Sequence, residues 1–185
     1  MASYTVLLLP GSLRAGSFTT ALLKAAGELL PDDIDGELVD LIRPLPYYDG
    51  DLDHDPLPHS VIEMRARVAA ADGIIVSTPE YNGTVPGGLK NWVDWATRPF
   101  QAHAMMNKPV VVLGASPGPK GAINAVEYLT NVFGYLGARV AGESVRFASV
   151  GDFIAEDGKV DPLIIDQLRP FVESLVAEVR NPAAP

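Results

Sequence analysis

The feature that most constrains the fold is a repeated alternation between short apolar runs and longer segments with apolar residues at helical spacing. Most of the short runs are almost continuously apolar, which is typical of parallel strands buried on both faces. This alternation predicts an α/β domain with a parallel sheet between two layers of helices. Strands are predicted at residues 4–9, 37–41, 73–77, 109–114 and within 139–147, and helices begin near residues 17, 60, 86, 123 and 161.

The composition is that of one acidic globular domain. The 185 residues include 14 Lys and Arg against 23 Asp and Glu, a formal net charge of −9. Nucleic acids and anionic membranes favour a basic face, so the charge predicts neither as a partner. The absence of cysteine excludes disulfides and thiol nucleophiles. The three histidines lack metal-ligand spacing and are expected at the surface, so no metal site is predicted.

The compartment and the domain boundaries are predicted from apolar runs and termini. No apolar run approaches the roughly 20 residues of a membrane span. The first residues lack the basic region that opens a signal peptide. We therefore expect a cytoplasmic protein with a single domain over residues 1–181 and a flexible tail at residues 182–185.

The loop after the first strand has the chemistry of an anion site. Residues 10–20 place four hydroxyls and Arg14 beside a helix N-terminus, where free backbone N–H groups and the helix dipole attract negative charge. Ser12, Ser17 and Thr19 can add O–H donors for a phosphate. The dinucleotide fingerprint fails because Leu13 stands where its second glycine belongs, and no Gly-Lys-Ser/Thr triplet exists. The loop therefore favours a mononucleotide.

Two further loops follow the third and fourth strands and are rich in small residues. Residues 78–92 contain prolines, glycines and Tyr81, and residues 114–121 form a second loop of small residues. Such turns let the backbone approach a flat ligand closely. Because the carboxyl ends of parallel strands meet at one edge of a sheet, these loops should face the anion site. Together they suit a planar ring tethered to a phosphate.

Three sequence motifs, GSLR at residues 11–14, PEYN at 79–82 and PGGLKN at 86–91, together resemble the NADPH-dependent FMN reductase family. That family includes quinone, azo-dye and chromate reductases. The resemblance implies a flavodoxin-like, three-layer, doubly wound sheet of five parallel strands in the order 2-1-3-4-5. It also implies non-covalent FMN, NADPH or NADH as reductant, a small-molecule electron acceptor such as a quinone, and a homodimer or homotetramer. Residues 120–124 depart from the glycine pair and arginine usual in the family.

The resemblance also implies roles for particular residues. Ser12, Arg14, Ser17 and Thr19 would hold the FMN phosphate, and residues 79–82 would border the ring with Ser116 and Gly118. No side chain need act as a general acid or base, because the flavin carries the chemistry. The predicted cofactor-binding residues are Ser12, Arg14, Ser17, Phe18, Thr19, Pro79, Glu80, Tyr81, Asn82, Gly83, Ser116 and Gly118.

Several of these sequence patterns also have alternative interpretations, and the function has two alternatives. Residues 114–118 match the Gly-x-Ser-x-Gly elbow of hydrolases, but Pro117 cannot donate to an oxyanion and every histidine precedes Ser116. Residues 49–55 lack the EF-hand spacing and read as a solvated acidic loop. Trp92 and Trp95 indicate packing or an interface. A flavodoxin-type electron carrier without NAD(P)H oxidation, or an FMN-free interaction domain, are the functional alternatives.

Overall fold

The computed structural model describes residues 3–142 and 144–181, so the predicted tail at 182–185 lies outside the described residues. The described part of the chain forms one parallel sheet flanked by helices. The strands are β1 (Tyr4–Pro10), β2 (Ile34–Leu38), β3 (Gly73–Thr78), β4 (Pro109–Ala115), β5 (Arg139–Val140) and β6 (Val145–Phe147). The helices are α1 (Phe18–Glu28), α2 (His59–Ala70), α3 (Gly87–Ala96), α4 (Ile123–Tyr135) and α5 (Pro162–Arg180), and short 3₁₀ turns lie at Gly50–Leu52 and Val150–Asp152.

The sheet has the order β2-β1-β3-β4-β5, with β6 also beside β4. Every residue of β3 and β4 is buried. Helices α2, α3 and α4 cover one face, where Met64 and Leu129 lie in the core. Helices α1 and α5 cover the other face, where Leu22 and Leu168 lie in a second core. The predicted doubly wound, three-layer architecture is confirmed.

The predicted second strand, at residues 37–41, is displaced by a few residues. β2 pairs with β1 from Tyr4↔Ile34 to Leu8↔Leu38, so its ladder ends at the second residue of the predicted strand. Val39 and Leu41 are nevertheless buried, in the core beneath α2 and α3. The two residues are therefore apolar because they are buried, although they lie in an irregular segment that follows the strand.

Two local predictions at element ends are corrected. The single weak strand expected within residues 139–147 is divided into β5 and β6, both parallel to β4. Ser60 followed by Glu63 has the sequence spacing of a capping box. The described helix lacks that box, because α2 begins at His59, with Pro58 at its N-cap and no side-chain capping bond. Ser60 is already inside the first turn, so its hydroxyl is not at the capping position.

The irregular connection between β2 and α2 is held in place by a buried charge cluster. Asp53 accepts hydrogen bonds from Arg65 at 2.8 Å and from Arg98 at 2.6 Å, and its side chain is only 8% exposed. Burial acts to raise the pKa of Asp53, but the hydrogen bonds from both arginines outweigh burial and lower that pKa. The expectation of a solvated acidic loop is therefore wrong at Asp53.

Aromatic packing completes the anchoring of this connection. Trp95 donates from its indole to the Pro46 carbonyl at 2.9 Å, and Tyr48 packs edge-on against its ring at 4.9 Å. The Arg65 guanidinium lies 5.6 Å from the same ring, within the range of a cation–π contact. Trp92 and Trp95 are both fully buried, which confirms their packing role.

Candidate functional site

A cavity of about 240 Å³ opens at the carboxyl ends of β1, β3 and β4. The three loops that the sequence singled out supply its walls. The residues that line it are Ser12, Arg14, Ser17, Phe18, Thr19, Pro79, Glu80, Tyr81, Ala115, Ser116 and Pro117. Nine of the twelve predicted cofactor-binding residues are therefore brought together. Asn82, Gly83 and Gly118 are not in the wall.

The register of the central strands explains why the loops converge. Pro10 is paired with Ser77, and Thr78 is paired with Gly114, so β1, β3 and β4 end side by side. Gly11 continues the ladder by donating its N–H to the Ser77 carbonyl at 2.7 Å. A Cβ on Gly11 would lie 2.6 Å from that same oxygen. Glycine is therefore required where the chain turns from β1 into the loop.

Three hydroxyl groups are buried around the start of α1. Ser12, Ser17 and Thr19 are 6%, 8% and 2% exposed. Ser17 is the N-cap residue, but its side chain makes no capping bond to the helix and lies instead 2.8 Å from the Thr19 hydroxyl. The Ser17 side chain therefore leaves the first-turn N–H groups of α1 available to an anion.

Arg14 supplies the positive charge in the cavity wall. Its guanidinium donates to the Gly16 carbonyl at 2.9 Å, a contact within its own loop. No carboxylate among residues 3–142 and 144–181 forms an ion pair with Arg14. The cation is therefore held in position without being neutralised by the described protein.

The neighbouring Leu13 and Asp40 lie outside the cavity wall. Leu13 is 42% exposed, and its carbonyl accepts a hydrogen bond from Arg43 at 3.0 Å. Arg43 is in turn paired with Asp40 at 3.1 Å. Asp40 has its charge partner at the surface and does not reach the site, and the Leu13 side chain does not line it.

The loop after β3 is a tight hairpin. Tyr81 and Thr84 exchange backbone hydrogen bonds at 2.9 and 3.1 Å, and the two residues between them have positive φ, 52° at Asn82 and 77° at Gly83. Asn-Gly is the pair best suited to such a turn. The hairpin presents Tyr81 to the cavity and directs its exposed tip away, which explains why Asn82 and Gly83 are not in the wall.

The loop after β4 is shaped by a serine. Ser116 accepts a hydrogen bond from the Gly118 N–H at 3.0 Å through its hydroxyl, so this side chain turns the loop back on itself. Ala115 and Pro117 line the cavity on either side of Ser116. Sequence reasoning missed both, because a small or apolar side chain carries no chemical signal of its own.

Glu80 has a partner that the sequence did not reveal. Its carboxylate accepts hydrogen bonds from the backbone N–H and side-chain amide of Asn124, at 2.9 and 3.1 Å, and from the Ala125 N–H at 3.4 Å. These donors form the first turn of α4. Glu80 therefore lines the cavity with a carboxylate that is bound to a helix terminus.

A larger cavity of about 370 Å³ adjoins the first across Ser17 and Phe18. It lies between α1 and residues 151–158, and its wall includes Lys24, Glu156 and Asp157. Charges of both signs are present there, and a single anion would meet repulsion as well as attraction. The smaller cavity is the better anion site.

The histidines differ from the prediction at one position. His54 and His59 are exposed as expected, but His103 is 6% exposed and its Nδ1 has no hydrogen-bond partner in the described chain. Burial lowers the pKa of His103. His103 does not line the cavity. Among the described residues no cluster of three or more metal-ligating side chains occurs, and no helix is both long and apolar enough to cross a membrane.

The residues in the cavity wall fit a flat ligand with a phosphate tail. One end combines buried hydroxyls, a helix N-terminus and Arg14, which is the donor set that a phosphomonoester needs. The other end is formed by a tyrosine, two prolines and small residues. This division of polar and apolar walls matches the two parts of a flavin mononucleotide.

Comparison with known proteins identifies related sequences. The model of a family described as NADPH-dependent FMN reductase matches residues 4–152. A 2-hydroxy-1,4-benzoquinone reductase from a Burkholderia species is 34% identical over 179 residues, 92% of this chain and 93% of that protein. An NAD(P)H-dependent FMN reductase from Pseudomonas aeruginosa is 39% identical over 131 residues, 71% of this chain and 70% of that one.

A solved structure agrees with these sequence relatives. FerB from Paracoccus denitrificans, described as a flavoenzyme NAD(P)H:(acceptor) oxidoreductase, superposes with a TM-score of 0.85. The two sequences are 32% identical, and the superposition covers 97% of this chain and 98% of FerB. The likeness therefore extends over nearly the whole fold.

Proposed function

The chain belongs to the NADPH-dependent FMN reductase family, and from that premise we propose that the cavity at the strand ends binds FMN non-covalently. The protein is an FMN-dependent oxidoreductase that passes electrons from NAD(P)H to a small acceptor. The chemistry that FMN supplies when bound is acceptance of a hydride from NAD(P)H and delivery of electrons to the acceptor. The protein supplies binding and orientation.

The observation that carries the proposal is the buried hydroxyl cluster at the start of α1. Ser12, Ser17 and Thr19 are buried beside Arg14, which no described carboxylate neutralises. In the Ser17–Thr19 pair one hydroxyl donates to the other, so the second O–H remains free to donate to an anionic ligand. A phosphate brings about two negative charges and several acceptors, so we assign the FMN phosphate to this cluster.

The flavin ring of FMN would lie between the loops that follow β3 and β4. Pro79 and Tyr81 form one wall, and residues 115–117 form the other. Asn82, Gly83 and Gly118 would then act through the shape of their loops. Among the described residues, Glu80 is the only acidic residue of the wall, and its carboxylate is bound to α4. The residues of the wall therefore orient the ligands and need not transfer a proton.

We further propose that the acceptor is a quinone. A relative that is 34% identical over 179 residues is named for a benzoquinone. Tyr81 is 44% exposed at the cavity and can contact a planar acceptor. The proposal also places the enzyme in the cytoplasm, where NAD(P)H is available, with residues 1–181 as one FMN-binding domain. Tyr47, 88% exposed beside Tyr48, supports assembly into a homodimer or homotetramer.

The test is an absorbance spectrum of the purified protein, followed by FMN titration and an assay of NAD(P)H oxidation with a benzoquinone. We expect a yellow protein, or an apoprotein that becomes yellow with FMN, and quinone-dependent NAD(P)H oxidation. An electron carrier would bind FMN without oxidising NAD(P)H. An FMN-free interaction domain would stay colourless after titration, and that result would remove the proposed function.

A further inference from the structure

Glu80 links two loops of the cavity wall through helix α4. The residue itself lies in the hairpin loop after β3, whereas its three hydrogen-bond donors lie 44 and 45 residues later, at the start of α4. That helix follows directly from the loop after β4. A carboxylate on one loop is therefore bound to the element that ends the other loop.

Helix α4 has no cap of its own among the described residues. Its N-cap position is Ala122, with φ of 62° and no side-chain capping bond. Gly121 before it also has positive φ, and a Cβ there would lie 3.1 Å from the Ala148 nitrogen. A Ser or Asp cap usually has extended backbone, so the left-handed position at Ala122 does not suit one. Glu80 instead accepts from two of the first-turn N–H groups, those of Asn124 and Ala125.

The charge of Glu80 suits this position. A carboxylate at a helix N-terminus interacts favourably with the positive end of the helix dipole. Asn124 adds a side-chain donor at 3.1 Å, within residues 120–124, where the sequence departs from the usual family pattern. The base of α4 is also packed tightly, because a side chain at Gly114 would overlap Val126. The helix is therefore a firm anchor for the hairpin loop.

We infer that Glu80 is a positioning residue, which by capping α4 holds the wall formed by Pro79 and Tyr81 at a fixed distance from the wall formed by the loop after β4. This inference rests on the proposed function, since the ligand that benefits is FMN. A preformed cavity binds more tightly because no loop has to be ordered when the ligand enters. Glu80 also gives the cavity wall an acidic residue.

The contact between Glu80 and the first turn of α4 is tested first in the apoprotein, without any ligand. Glu80→Ala removes the cap, and we expect the unfolding temperature to fall by about 2–4 °C. Asn124→Ala should show a smaller fall. The double variant should lose less than the sum of the two single variants, because both remove one shared contact. Glu127→Ala, which removes an exposed carboxylate from the same helix, is the matched control.

The consequence for the cavity is tested with FMN. We expect the dissociation constant of FMN to rise about tenfold in Glu80→Ala. Glu80→Gln retains an acceptor oxygen, so it should restore affinity to within about threefold of wild type. Because Glu80→Gln also removes a negative charge from the wall, the midpoint potential of bound FMN should become more positive. Glu127→Ala should leave both quantities unchanged.

The outcomes separate this inference from the proposed function. Loss of thermal stability in Glu80→Ala with wild-type FMN affinity would make Glu80 a purely structural cap and overturn the inference. Additive effects of Glu80→Ala and Asn124→Ala would show that the two residues are not coupled and would also overturn it. If wild-type protein binds no FMN, the proposed function fails, and the positioning role of Glu80 toward FMN fails with it, whereas the capping contact measured in the apoprotein is unaffected.

Discussion

The arginines beside Asp53 and the arginine in the loop before α1 differ in whether the protein supplies their anion. Around Asp53, two guanidiniums donate to one carboxylate at 2.8 and 2.6 Å. Around Arg14, the guanidinium reaches a carbonyl of its own loop, and three buried hydroxyls surround the start of α1. The first cluster is complete within the chain. The second contains no carboxylate partner for its arginine among the described residues.

Charges that stabilise the fold and charges that bind a ligand should therefore respond differently to substitution. Removing one partner from the Asp53 cluster leaves charges buried without compensation, so its cost should appear in folding. Removing a donor from the Arg14 loop should leave folding intact and appear in ligand affinity. The variants below test whether the two regions separate in this way.

The largest effect is expected from Asp53→Ala. Arg65 and Arg98 would lose their shared acceptor, and the free energy of unfolding should fall by about 3 kcal/mol, at the low end for a buried pair because Arg98 is partly exposed. Urea denaturation measures this change. FMN affinity of the folded variant should stay near the wild-type value. A loss below about 0.5 kcal/mol would mean that the cluster is only a surface ion pair.

Arg14→Ala should lower the affinity for FMN and leave the stability of the fold unchanged. Loss of a charge-assisted hydrogen bond should weaken FMN binding by about 1.5–3 kcal/mol, or about 10- to 150-fold in the dissociation constant. Fluorescence titration measures the affinity, and the free energy of unfolding of the apoprotein should not change. Arg43→Ala is the matched control, because Arg43 contacts the same loop from outside the cavity. Equal affinity in wild type and Arg14→Ala would assign Arg14 a different role.

Thr19→Val should produce a smaller loss of FMN affinity than Arg14→Ala. Valine preserves the shape of the buried side chain and removes one donor, so FMN binding should weaken by about 0.5–1.5 kcal/mol. Thr20→Val changes the next residue of α1, which does not line the candidate cavity, and should leave the affinity unchanged. The same titration compares them. Similar losses in both variants would indicate a general effect on α1 and would count against a specific donor.

The smallest effect is the pH dependence of the Asp53 cluster. Hydrogen bonds from the arginines lower the pKa of Asp53 in the folded state below its usual value near 3.8. The stabilisation is therefore present above the unfolded-state pKa and is lost as the pH falls through the folded-state pKa. The difference in unfolding free energy between wild type and Asp53→Asn should be constant near neutral pH and should narrow below about pH 4.

Comparison with Asp53→Asn removes the contribution of other groups. Asp33 also has a lowered pKa, through its hydrogen bond with Arg180, and it titrates equally in both proteins. A difference that persists unchanged well below pH 4 would show that the carboxylate charge of Asp53 does not contribute.

The parts of the fold predicted correctly are those with a local and strong signal. β1, β3 and β4 were predicted because each contains at least three consecutive apolar residues, and those runs are buried. The predicted limits of β2 were wrong because Val39 and Leu41 are buried outside the ladder. The capping box at Ser60 failed because Pro58 already ends the preceding loop and begins α2. Apolar patterns therefore report burial more reliably than they report where a ladder or a helix begins.

In the candidate site, too, some features could be predicted from the sequence and others could not. The loop residues from Ser12 to Thr19 follow one strand directly, so their convergence could be predicted from the strand order alone. The bond between Glu80 and Asn124 spans 44 residues, and the contact of Asp53 with Arg98 spans 45. A single sequence contains no signal for such pairs, because they depend on how helices and loops pack in three dimensions.

The central claim is that the loop at the start of α1 holds a phosphate, and the most direct measurement compares FMN with riboflavin, which lacks only that group. Wild-type protein should bind FMN at least about tenfold more tightly than riboflavin, since a phosphate gains charge-assisted hydrogen bonds. Arg14→Ala should narrow the ratio while leaving riboflavin affinity nearly unchanged. Equal affinity of wild-type protein for the two flavins would contradict the account.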